Sequence, residues 1–168
     1  MRYRKAIIKM RPYNINDIAD YVISRLTSDE EMPLIHLKLQ KLLYYIQAWS
    51  LGINGRTMFN GKFQAWVHGP VNRTIYDRFQ EKSLYGFIGK EDINTSNECP
   101  STEDADFIDY ILDNYAGYSG TQLEQMTHKE LPWIEARRGY APAERCTVEI
   151  SEQTMLSYYA AQWKEING

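Results

Sequence analysis

Apolar positions recur at three- and four-residue spacing through Ile15, Ile18, Ala19, Val22, Ile23 and Leu26, which is one stripe of a helix. Asn14 or Asn16 can cap it, and Asp17 sits favourably in the first turn. After a polar break ending at Pro33 a longer helix is expected, with Leu39, Leu42, Leu43, Ile46 and Trp49 inward and Lys38 and Lys41 outward. Asn54-Gly55 is a fitting stop, since both residues tolerate the left-handed conformation that ends helices. The period then changes from helical to alternating. Thr57–Phe59 and Lys62–Val67 read as two strands around an Asn60-Gly61 turn, with Phe63, Ala65 and Val67 on one face and Gln64, Trp66 and His68 on the other.

Gly69-Pro70 ends the second strand and opens a helix with Pro70 at its first position and Val71, Ile75 and Phe79 as its stripe. Residues 80–104 carry only small apolar islands and a polar acidic stretch, which predicts a surface excursion. Ser101 with Asp104 starts the next helix, burying Ile108, Ile111, Leu112 and Tyr115. Ser119 and Gln122 form a capping box for a short helix carrying Leu123 and Met126. Another begins near Pro132, Thr147–Ile150 alternates like a short strand, and Ser151 caps a final helix with Leu156, Tyr159, Ala160 and Trp163 inward. The fold class is therefore mainly α (α+β): a compact bundle of about six helices with a small antiparallel hairpin or sheet.

Composition refines this picture. A length of 168 residues with 43% hydrophobic and 24% charged residues suits one globular domain and excludes a disordered chain. The expected division is a basic arm over residues 1–12 and a single domain over 13–168. Cys99 and Cys146 form no C-x-x-C pair, no apolar run approaches a membrane span and no leader is visible, so a reducing cytoplasmic setting is expected. Arg2, Arg4, Lys5, Lys9 and Arg11 make the arm basic, which leaves the rest more acidic than the net charge of −3. Such a body repels phosphate, so nucleic acid is not an expected partner; a nucleic-acid-associated factor working through the basic arm ranks third among the functional readings.

Catalytic motifs are absent or broken. His36, His68 and His128 show no H-E-x-x-H spacing. Gly117–Thr121 misses the G-x-S-x-G elbow at its fifth position and follows a helix where the elbow needs a strand. Gly61-Lys62 lacks both the first glycine and the hydroxyl residue of a phosphate loop. A small hydrolase-type enzyme would have to bring His68, His128 and Glu130 together from a distance, and it is the alternative reading. No cofactor and no metal are expected. The unusual feature is aromatic: 13 Tyr and 4 Trp, residues that fill cores and also anchor protein interfaces. Adjacent Tyr44 and Tyr45 leave a helix about 100° apart and are not both expected to point straight into the core, while Trp66 lies on the face opposite Phe63.

Three blocks are familiar. Leu39–Trp49, Ala65–Val71 with Tyr76, and Ser119–Arg137, which contains Pro132-Trp133, resemble the Panacea (SocA-like) antitoxin family, also met as phage-associated proteins. The resemblance implies a protein encoded beside a toxin that it neutralises by direct binding, through occlusion or by delivery to a protease. It implies no catalytic residue and no cofactor; the lack of a long apolar run leaves no membrane partner expected. Gln40, Tyr44, Trp66, His68, Tyr76 and Trp133 are then the partner-binding candidates, with the aromatics as anchors and Gln40 and His68 as hydrogen-bonding groups.

Overall fold

The computed structural model describes residues 12–27, 32–94 and 97–168; the basic arm, Pro12 apart, lies outside the described residues. Seven α-helices are present among them: α1 (Ile15–Leu26), α2 (His36–Trp49), α3 (Arg73–Arg78), α4 (Thr102–Tyr115), α5 (Gly120–Thr127), α6 (Leu131–Ala136) and α7 (Glu152–Asn167). Four short strands complete the set: β1 (Tyr13–Asn14) pairs in parallel with β2 (Phe59–Asn60), and β3 (Gln64–Trp66) pairs antiparallel with β4 (Gly69–Val71). Mainly helical architecture with a small sheet is thus what the periodicities dictate. The expected caps also form. Asn14, Ser101 and Ser151 accept main-chain N–H groups of α1, α4 and α7, and Ser119 and Gln122 close a reciprocal capping box on α5.

All fourteen residues of α2 are buried. It packs against α1, α4, α5, α7 and β4, so it has no solvent face. This corrects the outward placement of two lysines. Lys38 donates from Nζ to the Ala116 carbonyl at 2.6 Å, and Lys41, fully buried, donates to the Pro70 carbonyl at 2.9 Å. It also explains how adjacent Tyr44 and Tyr45 are both inside: a helix wrapped on every side offers core in every direction. The N-terminus of α2 has no side-chain cap. The surface excursion satisfies it instead, as His36 N–H and Leu37 N–H donate to the Gly86 and Leu84 carbonyls. The excursion is itself fixed to α1 and α3 by Arg78, which bonds the buried Asp20 at 2.5 Å and the Asp92 carbonyl at 2.8 Å.

At its C-terminal end α2 continues into one π-helical turn, Ser50–Asn54, before Gly55 stops it at φ 73° as Asn54-Gly55 led us to expect. A Cβ on Gly52 would fall 2.6 Å from Tyr159 Cβ, so only glycine lets α7 pack this closely.

The hairpin lies elsewhere than Asn60-Gly61 suggests. The two-residue turn is Val67-His68, and β3 pairs with β4 rather than with 57–59. The reason is a side chain. Gln47 Oε1 accepts Met58 N–H at 2.8 Å and Phe59 N–H at 3.3 Å, and its Nε2 donates to the Phe59 carbonyl at 2.8 Å. With those groups occupied, segment 58–60 pairs with β1 and leaves β3 to others. Gly69-Pro70 accordingly belongs to a strand and opens no helix; Asn72 caps α3, its Oδ1 accepting Ile75 N–H at 3.0 Å. Thr147–Ile150 lies along the free side of β3, with Glu149 opposite Gln64.

Gln47→Leu strands two buried N–H groups and a carbonyl, and should cost about 2–4 kcal/mol in urea unfolding. A loss below about 0.5 kcal/mol would contradict this role for Gln47.

Candidate partner-binding site

The hairpin β3–turn–β4 is held from beneath by two residues of α2. Gln40 is fully buried; its Oε1 accepts Asn72 N–H at 2.9 Å and its Nε2 donates to the Asn72 carbonyl at 3.3 Å. Lys41 Nζ holds Pro70 next to it. Gly69 stands over Lys41 at φ 90°, where a Cβ would meet Lys41 Cε at 2.7 Å and Thr127 Oγ1 at 2.9 Å. The Gly-Pro pair thus serves close approach of a strand to a buried cation. Burial also lowers the Lys41 ammonium to about 7, only partly offset by the Glu124 charge.

From above, α6 and the residue that follows it hold two carbonyls of β3. Trp133 Nε1 donates to the Trp66 carbonyl at 2.9 Å and Arg137 Nη1 to that of Ala65 at 2.9 Å. Arg137 is buried and its second terminal nitrogen, Nη2, donates to the carbonyls of Ala141, Pro142 and Glu144. One guanidinium therefore fastens the 141–144 loop to the sheet. It also takes the carbonyl that a continued ladder to Val148 would need. Ala65 N–H still donates to the Val148 carbonyl at 2.8 Å, but no return bond forms among the described residues, and the chain before Val148 diverges from β3.

That divergence opens a cleft of about 550 Å³. Trp66, His68 and Tyr76 line it together with Arg73, Arg145 and Thr147. The Trp66 and Tyr76 rings meet edge to face at 4.8 Å, the Arg73 guanidinium lies 5.5 Å over Tyr76, and Trp66 Nε1 is oriented by Gln64 Oε1 at 2.8 Å. His68 is half-exposed on the turn, its Nδ1 2.9 Å from Glu124 Oε1 on α5. Three of the six candidate residues thus share one cleft. Trp133 stands behind it, stacked on His128 at 4.0 Å. Gln40 and Tyr44 lie in the interior: Gln40 fixes the hairpin, and Tyr44 packs edge to face on Phe63 at 5.4 Å. Arg73, Arg137 and Arg145 were missed. Arg137 stood inside a familiar block, whereas Arg145 sits in a polar loop where nothing in the pattern marks it.

The three residues of the enzyme reading have separate partners. Glu130 accepts Tyr45 OH at 2.6 Å and Tyr159 OH at 3.1 Å, His128 stacks on Trp133, and His68 pairs with Glu124. Among the described residues no group of three or more His, Cys, Asp or Glu side chains is placed to hold a metal ion. No described helix is long and apolar enough to cross a membrane. The cleft offers aromatic surface and positive charge, chemistry suited to binding.

A family described as Antitoxin SocA-like, Panacea domain, matches residues 39–134, a stretch from α2 into α6 that contains all six candidates. The chain is also similar to Antitoxin SocA of Caulobacter vibrioides, 43% identical over 112 residues, which are 61% of this chain and 60% of that protein. It thus spans about 60% of the length of this curated relative. No solved structure matches it.

Burial raises the Glu130 carboxyl from its ordinary 4.5 to about 7, although Tyr45 and Tyr159 hydrogen bonds pull it back. Between those pH values the folded chain binds more protons here than the unfolded chain, so this group's contribution to stability falls as pH rises. Glu130→Gln, which keeps an acceptor for both hydroxyls, should gain stability relative to wild type as pH rises through that window, read as the difference in urea midpoints. A difference independent of pH would contradict the assignment.

Proposed function

The chain belongs to the SocA-like antitoxin family with a Panacea domain, and from that premise we propose that it is the antitoxin of a toxin–antitoxin pair. It neutralises the protein encoded by a neighbouring gene by direct binding in the cytoplasm, by occlusion or by delivery to a protease, and without catalysis. The name of the Caulobacter relative supports this reading. The observation that carries it from family to molecule is the cleft, where Trp66 and His68 of a hairpin anchored from both sides meet Tyr76 of α3 at the surface. The division into a basic arm and one domain over 13–168 belongs to the same proposal. A single apolar cluster running from Tyr13 to Tyr159 supports it.

Trp66 is the anchor in this account, a large aromatic with a polar handle at the rim of a cleft. Expression of the neighbouring gene should arrest growth, and co-expression of this chain should restore it. Trp66→Ala should weaken the purified complex roughly tenfold or more with an unchanged melting curve. A harmless neighbour removes the antitoxin reading, and full affinity in a well-folded Trp66→Ala removes Trp66 from the contact.

A further inference from the structure

Besides its aromatics, the cleft has a charge that the chain as a whole lacks. Arg73 and Arg145 line it and no Asp or Glu does, in a protein of net charge −3. Arg145 is exposed and makes no ion pair among the described residues. Among the described residues the ion pair of Arg73 is with Asp77 of its own helix, at 2.9 Å, with both side chains more than half exposed. A surface pair of that kind is worth about 0–1 kcal/mol and exchanges readily for a better partner.

Main-chain groups point the same way. Ala65 N–H bonds the Val148 carbonyl and Ile150 N–H bonds the Phe63 carbonyl, which sets Glu149 opposite Gln64. In that antiparallel pattern the N–H and C=O of Glu149 face away from β3, and Thr147 lies where the chain leaves the pairing. Both residues are exposed, and among the described residues their main chains have no backbone partner. The cleft therefore ends in an open sheet edge, the feature that takes up an extended peptide strand. A free anion would make no use of that edge.

We propose that the cleft and the adjoining edge at Thr147–Glu149 receive an extended acidic segment of the partner protein. Its carboxylates meet Arg73 and Arg145, and an apolar side chain between them rests on Trp66 and Tyr76. Complementary charge of this kind steers encounter and fixes register. The proposal rests on the reading that this chain grips another protein, but not on that protein being toxic. Arg73 lies within the family match and Arg145 beyond it, so the two walls need not vary together among relatives.

The test is selection of a random-peptide phage library on the immobilised full chain, followed by affinity measurement of synthetic copies of the recovered peptides. The expected peptides carry two or more acidic residues around an aromatic or aliphatic one. Their affinity should fall roughly tenfold or more in the Arg73→Glu, Arg145→Glu double variant and drop with added salt, while Arg138→Glu, outside the cleft, leaves it unchanged. If the double reversal melts early, Arg73→Gln with Arg145→Gln takes its place. Acid-poor peptides, indifference to the charge change, or displacement by inorganic phosphate or ATP at equal concentration would overturn the proposal. A harmless neighbouring gene with acidic-peptide binding intact would remove the toxin reading and leave this one standing.

Discussion

A fourteen-residue helix buried on every side must find a partner inside the protein for each of its polar side chains, because water cannot reach them. For Lys38, Gln40, Lys41 and Gln47 of α2 those partners are main-chain groups of the segments wrapped around it, while Tyr45 and Trp49 donate to Glu130 and to the Tyr115 hydroxyl. Lys38 takes a carbonyl after α4, Gln40 both main-chain groups of Asn72, Lys41 the carbonyl of Pro70, and Gln47 three groups of segment 58–59. Each bond satisfies a buried polar atom and at the same time fixes the position of a loop or strand. The irregular part of the chain, residues 57–72, thereby takes one course over the helix. The surface hairpin inherits the rigidity of the core.

Much of this was legible in the sequence wherever one residue sufficed to set the outcome. Asn14, Ser101, Ser119 and Ser151 cap the helices they precede, since a short acceptor before an apolar stripe has few alternatives. What failed depended on distant partners. Asn60-Gly61 is a good turn, yet Gln47 occupies the main-chain groups its hairpin would have paired. Lys41 looks like a surface residue on any helical projection, and only the surrounding elements make its face interior. Pro70 reads as a helix start until the strand pairing Ala65 with Pro70 is seen.

The site divides in the same manner. Trp66, His68 and Tyr76 stood out because the familiar blocks contain them, and the fold gathers them at one cleft. Gln40 and Tyr44, from those same blocks, lie beneath, so the blocks mix residues that build the interior with residues that line the cleft. Arg137 and Arg145 escaped notice for a physical reason. Their roles arise from a loop that leaves β3 where Arg137 takes the Ala65 carbonyl, and local pattern does not encode that event. Read together, the buried helix, the hairpin above it and the Arg137 fastening make a preorganised recess at modest entropic cost to a binding partner.

The central claim, that this recess is the face that meets the partner, is tested most directly by hydrogen–deuterium exchange of the chain alone and in complex with the protein encoded beside it. The account predicts new protection at the hairpin turn, at the start of α3 and at residues 143–149, with the opposite surface around α1 and α4 unchanged. Protection confined to α1, α4 or the 80–104 excursion, with the cleft exchanging as in the free protein, would contradict it.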